Sequence, residues 1–171
     1  MTHTSRTRPA YDADERTQLI EWLDMHRNII RWKCEGLSAE DAHRSVIPTS
    51  PLMTVAGLVS HMRWVEHCWF EVMLLGRPAT GPQFDDGPED ADMRADGVPL
   101  EQLLREYAEQ CAVSDEIIAA HSLDDVGRQK EFGGGAATLR WTMHHMIEET
   151  ARHAGHLDII RELLDSSKGY Y

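Results

Sequence analysis

Apolar residues recur at helical spacing in four stretches of the chain. From about Asp12 to Cys34 they fall at Leu19, Trp22, Leu23, Ile29 and Ile30, with His26 and Lys33 occupying two places on the same stripe, and Gly36 stops the run. Thr54 is a candidate N-cap for a second helix reaching about Leu75. Its stripe is Leu58, His61, Trp64, Val65, Cys68, Val72 and Leu75, and Gly76 and Pro78 close it. Pro99 suits the first turn of a third helix, which Leu100, Leu103, Leu104, Tyr107, Cys111, Ile117 and Ile118 carry to about His121. Thr138 caps a fourth, running to about Leu164.

The joints are long. Leu37 to Met53 reads as a loop with one short turn of helix around Ala39 to His43, and Gly76 to Pro99, rich in Gly, Pro and Asp, reads as an irregular crossover. Ser122 to Ala137 forms another connection, with a possible extended piece near Lys130 to Phe132. Its Gly133-Gly134-Gly135 run lacks the Lys and Ser/Thr of a P-loop, so it reads as a hinge. The pattern predicts an all-α four-helix bundle with long crossover connections. At 171 residues it fits a single domain over 1–171.

A formal net charge of -12 argues against a sequence-independent grip on nucleic acid or an anionic membrane, leaving small molecules and proteins as partners. Cys34, Cys68 and Cys111 form no close-spaced thiolate knuckle, and an odd number makes a poor disulfide framework. Free thiols in a reducing cytoplasm fit best. The segment from Met1 to Tyr11 has no apolar signal core, and no apolar run approaches the ~20 residues that span a bilayer, so a cytoplasmic protein is expected.

Chemistry concentrates on the last helix. Thr142, His145, Met146, Glu149, His153, His156, Leu157, Ile160, Leu163 and Leu164 share one sector, while His144, Glu148, Arg152, Asp158 and Arg161 face elsewhere. Glu149 thus sits on the core face, where an ionised carboxylate needs compensation. An ordinary pairing with a protonated histidine or an arginine would supply it. A metal would do so directly, because Glu149 and His153, four residues apart, can converge on one ion. His61 is the best third ligand. A lone histidine on an apolar face is more often a satisfied core residue, which is how His26 reads. Two imidazoles and a carboxylate leave open positions on zinc, the first choice, or on nickel or iron. The His-Glu-x-x-His of a zincin and the paired Glu-x-x-His of a di-iron bundle are both missing.

Two strings, Thr54-Val55-Ala56-Gly57-Leu58-Val59-Ser60-His61-Met62-Arg63-Trp64-Val65-Glu66 and His145-Met146-Ile147-Glu148-Glu149-Thr150-Ala151-Arg152-His153-Ala154-Gly155-His156-Leu157-Asp158, carry a resemblance to the DinB-like superfamily. Within it, the chain resembles the branch of mycothiol S-transferases and mycothiol-dependent maleylpyruvate isomerases. That branch uses a His, Glu, His set, which maps onto His61, Glu149 and His153. The resemblance implies a metal-dependent transferase that conjugates a low-molecular-weight thiol, mycothiol first, to small electrophiles, and by analogy a homodimer. A metal with an open position can lower the pKa of such a thiol, so no cysteine of the chain is required. Cys68 accordingly reads as core packing. His156 and His145 flank the metal pair as candidates to orient a ligand or move a proton, His156 ahead of His145. Trp64, one turn from His61, is a candidate wall of the thiol pocket. The competing reading is a non-catalytic, stress-associated metal-binding dimer of the same superfamily.

Overall fold

The computed structural model describes residues 6–130 and 134–169. It contains α1 (Glu15–Lys33), α2 (Ala39–His43), α3 (Val55–Glu66), a π-helical continuation of α3 (His67–Leu74), a short 3-10 turn (Ala91–Met93), α4 (Leu100–Ala120) and α5 (Leu139–Asp165). Among the described residues there is no strand, only an isolated bridge between Val126 and Thr138. The all-α reading therefore holds, including the short helix at Ala39–His43. The extended piece expected near Lys130 to Phe132 lies, beyond Lys130 itself, outside the described residues, as does Gly133. No described helix is long and apolar enough to cross a membrane.

Two compact units divide the chain, one from residues up to 55 together with those from 143 onward, the other from residues 56–142. In the first, Asp14 starts α1 by accepting from Thr17 N at 3.1 Å and from the Thr17 hydroxyl at 2.6 Å. One of the orphan donors of the first turn is thereby satisfied. The Thr17 bonds hold the Asp14 carboxyl below its usual range. Ser38 starts α2 in the same way, accepting from Asp41 N at 3.0 Å. Leu19, Leu23, Met25, Ile29 and Ile30 of α1 are buried, as are Met146, Ala154, Leu157 and Ile160 of α5.

The end of α5 departs from the sequence reading. Leu163, expected inward, is 57 % exposed, whereas Arg161, expected outward, is 8 % exposed. The reason is the C-terminus of α1, whose last carbonyls have no helical partner. Arg161 Nη1 donates to Lys33 O at 2.5 Å and to Glu35 O at 3.0 Å, and its Nη2 donates to Asp165 Oδ2 at 2.8 Å. The Arg161 guanidinium holds the Asp165 carboxyl down at about 2. Lys33 is buried beside it, paired with Asp158 and 4.3 Å from the Trp32 ring centre.

In the second unit the buried row of the α3 helix is Leu58, Met62, Glu66, Phe70 and Leu74, a strict four-residue step. His61, Trp64, Val65, Cys68 and Leu75 of the expected stripe are only partly covered. On a regular α-helix a four-residue step drifts by roughly 40° per turn. The π-helical stretch, bonded i to i+5, holds more residues per turn and counters that drift. Its end is capped from the connection that follows α4, because Arg128 N donates to Met73 O and Leu74 O, each at 3.1 Å. Gly127 permits this approach, since a Cβ there would stand 2.8 Å from Met73 O. Thr138 caps α5 as expected, accepting from Trp141 N at 3.2 Å.

Replacing Arg161 by Met keeps bulk and removes the donors. Lys33 O and Glu35 O would then be stripped of them, and unfolding free energy should fall by about 2–4 kcal/mol. Urea denaturation followed by circular dichroism measures it, and a loss below about 0.5 kcal/mol would show that water replaces the guanidinium without penalty.

Candidate metal centre

Helical spacing places Glu149, His153 and His156 on one face of α5. Glu149 Oε1 and His153 Nε2 lie 3.1 Å apart, with side chains only 12 % and 11 % exposed. The next turn brings His156 Nδ1 to 3.2 Å from His153 Nδ1, the rings edge-on with centroids 5.1 Å apart. A single proton can occupy that nitrogen–nitrogen line, so one imidazole donates and the other accepts. Burial, reinforced by positive charge on His153 and Arg152, holds the His156 pKa below its ordinary value. His156 is therefore neutral near pH 7.

The pairing with an arginine that the sequence left open is also present. Arg152 Nη1 approaches Glu149 Oε2 at 3.4 Å, from a side chain that is 56 % exposed. Such a contact is screened and weak. It engages Oε2 and leaves Oε1 turned to the imidazole. His145, named as a second flanking group, stands 4.0 Å from Glu148 Oε2 with 26 % of its side chain exposed.

In the other unit, His61 projects from α3, and its Nδ1 is 2.6 Å from Asp92 Oδ2. Asp92 belongs to the 3-10 turn of a stretch that reads as irregular, 31 residues further along the chain. Sequence reasoning missed it, because no periodicity links the two positions and the local acidic run offers many equivalent carboxylates. Trp64 lies under the following connection. Its carbonyl accepts from Gln83 Nε2 at 3.2 Å, and a Cβ on Gly81, whose φ is +113°, would fall 2.5 Å from its ring. Arg63 stacks on the ring at 4.2 Å from its centroid.

A further cluster escaped the sequence as well. His67 Nδ1 is 2.9 Å from Glu71 Oε1, which also accepts from Gln110 Nε2 at 3.0 Å, while Arg77 reaches Oε2. Burial works against the Glu71 carboxylate, but the hydrogen bonds from His67, Gln110 and Arg77 outweigh it and hold its pKa down. The π-helical register that brings His67 and Glu71 here was not legible as a period.

The donor chemistry on α5 fits a divalent ion. Two ligand atoms each about 2.1 Å from one ion, at right-angled to tetrahedral geometry, stand about 3.0–3.4 Å apart. The Glu149 Oε1 to His153 Nε2 separation of 3.1 Å falls in that range. Neither Cys34 nor Cys68 is a ready nucleophile. Burial pushes the Cys34 thiol up to about 12, and burial together with the Asp92 charge pushes Cys68 up to about 11.

Cys68 should accordingly alkylate slowly near neutral pH, with the rate rising about tenfold per pH unit as the thiolate fraction grows. Mass spectrometry after iodoacetamide pulses between pH 7 and pH 10 tests this. A plateau reached near pH 8 would mean a depressed thiol pKa and reopen Cys68 as a nucleophile.

No curated relative matches the chain. The family profile described as mycothiol-S-transferase matches residues 18–166, nearly the whole length, which takes in both α3 with His61 and α5 with Glu149 and His153. The chain belongs to the mycothiol-S-transferase family.

Proposed function

We propose that the protein is a metal-dependent thiol S-transferase that conjugates mycothiol to small electrophiles, with His61, Glu149 and His153 holding one divalent ion, zinc first. The observation that carries this reading is the Glu149–His153 contact. It sets an anionic and a neutral ligand atom on adjacent turns at the spacing a single ion needs. Membership of the family supplies the thiol. When bound, such an ion supplies a Lewis-acid centre that lowers a thiol pKa, so that thiolate is available near neutral pH.

The chain's own groups do the rest. With the ion held between His153 Nε2 and Glu149 Oε1, the His153 proton would sit on Nδ1, where His156 Nδ1, 3.2 Å away, would accept it. His156 thus acts as a positioning residue for His153. Arg152 neutralises part of the Glu149 charge from the solvent side without blocking Oε1. Cys34 and Cys68, kept protonated, stay inert toward the electrophile.

The purified protein should carry about one divalent ion per chain, and His61→Ala, Glu149→Ala and His153→Ala should each weaken its binding at least tenfold. Elemental analysis with chelator competition reads both. Full occupancy in all three variants would remove the proposed ligand set.

Activity should depend on an added thiol. A folded variant with Cys34, Cys68 and Cys111 replaced by Ala or Ser should retain metal-dependent conjugation of mycothiol to a chromogenic electrophile. His61→Ala should lose it while remaining helical by circular dichroism. Turnover without added thiol, or an inactive but folded cysteine-free protein, would end the transferase assignment.

A further inference from the structure

Asp92 brings a carboxylate to His61 from the connection between the α3 helix and α4. Its Oδ2 stands 2.6 Å from His61 Nδ1, and the two side chains are shielded, 14 % and 19 % exposed. Its backbone carbonyl accepts from Ser60 Oγ at 2.7 Å. Consecutive residues of α3 therefore grip Asp92 at two points, one through its backbone and one through its side chain. The turn closes on itself through Met93 N to Asp90 O at 3.0 Å and Arg94 N to Ala91 O at 3.2 Å. Asp90, which opens it, has a φ of +56°. Aspartate is, with asparagine, among the few residues other than glycine that adopt that left-handed conformation readily, so local preference and the two contacts from α3 both favour the turn.

A neutral imidazole has one donor and one acceptor nitrogen, and which is which depends on what faces the ring. An ionised carboxylate can only accept. Facing Asp92 at 2.6 Å, His61 Nδ1 carries the proton, and Nε2 keeps the lone pair. An unpartnered ring would divide between tautomers and turn about its side-chain bonds. The wrong tautomer or a turned ring presents no lone pair where a ligand nitrogen is needed.

We propose that Asp92 is the positioning residue of His61: it fixes the Nδ1–H tautomer and presents Nε2 as a metal ligand, which makes the connection from Arg77 to Pro99 a working part of the metal centre. The proposal rests on the reading of His61 as a ligand. It adds a residue that touches neither metal nor substrate and acts through the ring it orients. Ser60 supports Asp92 in turn, by fixing the backbone from which the carboxylate extends.

The experiment has one readout without metal and one with it. In metal-free protein, nitrogen NMR of the His61 ring, assigned with a His61→Gln variant, should show the proton on Nδ1. Asp92→Ala should give a mixture of tautomers. Zinc affinity, measured by competition with a chromogenic chelator, should fall about 10–100-fold in Asp92→Ala and by less in Asp92→Asn, which keeps the shape and an acceptor oxygen but loses the charge. Should Asp92→Ala fail to fold, Ser60→Ala loosens only the backbone grip and should give a smaller loss of affinity. Asp86→Asn, an exposed change in the same connection, should leave tautomer and affinity as they are. An unchanged tautomer in Asp92→Ala, or zinc affinity within twofold of the parent in both Asp92 variants, overturns the proposal. A parent protein that takes up no zinc would instead defeat the ligand set, while the tautomer measurement still decides whether Asp92 controls the ring.

Discussion

The Arg161 guanidinium is the constraint on which the first unit depends. It closes the C-terminus of α1 by satisfying Lys33 O and Glu35 O, and it is held in turn by Asp165 one helical turn away. Those carbonyls would otherwise be orphaned in a setting where Lys33 is itself buried against Asp158. A buried cation succeeds here because its donors find partners from two directions, the condition under which a buried charge is tolerated. The consequence reaches the candidate centre, since Glu149, His153 and His156 stand on the same α5 that this clamp ties to α1.

In the second unit the governing feature is geometric. Leu58, Met62, Glu66, Phe70 and Leu74 stay in line only because the helix loosens to π-helical bonding after Glu66. Most of the apolar stripe read from a 3.6-residue period, His61, Trp64 and Cys68 included, then falls on the partly covered side, while Leu58 and Val72 stay buried. A residue at the edge of a core is shielded enough to hold a fixed hydrogen bond and open enough to meet a small ligand. His61 has that position, at 19 % exposure with Asp92 behind it.

Proton placement ties the chemistry together. His153 has a nitrogen partner on one side and a carboxylate on the other, and His61 has a carboxylate behind its Nδ1. The His61 tautomer follows from its partner, because a carboxylate only accepts, and His153 and His156 share one proton between their facing ring nitrogens. The thiols are treated in the opposite way. Cys34 and Cys68 are held protonated, mainly by burial, so neither offers a thiolate near neutral pH.

Most of the fold was legible in the sequence. Hydrophobic period located α1 and α4 to within a few residues, and Gly36 and Thr138 marked a stop and a start because they act on backbone groups only a few positions away, while the Asp14 and Ser38 caps emerged only in the structure. The Glu149–His153 contact was legible for the same reason, being a four-residue relation along one helix. What the sequence could not supply were relations without a period. Arg161 fell outside the core-facing sector because the carbonyls it serves, Lys33 O and Glu35 O, lie at the end of α1, and His67 and Glu71 were passed over because the π register leaves no local mark. Asp92 was one acidic residue among several until the turn at Ala91–Met93 set it against His61. Local propensity decides where a helix begins and which side chains share its face, whereas which distant carboxylate meets which imidazole is decided only when the chain closes on itself and buried polar groups must find partners.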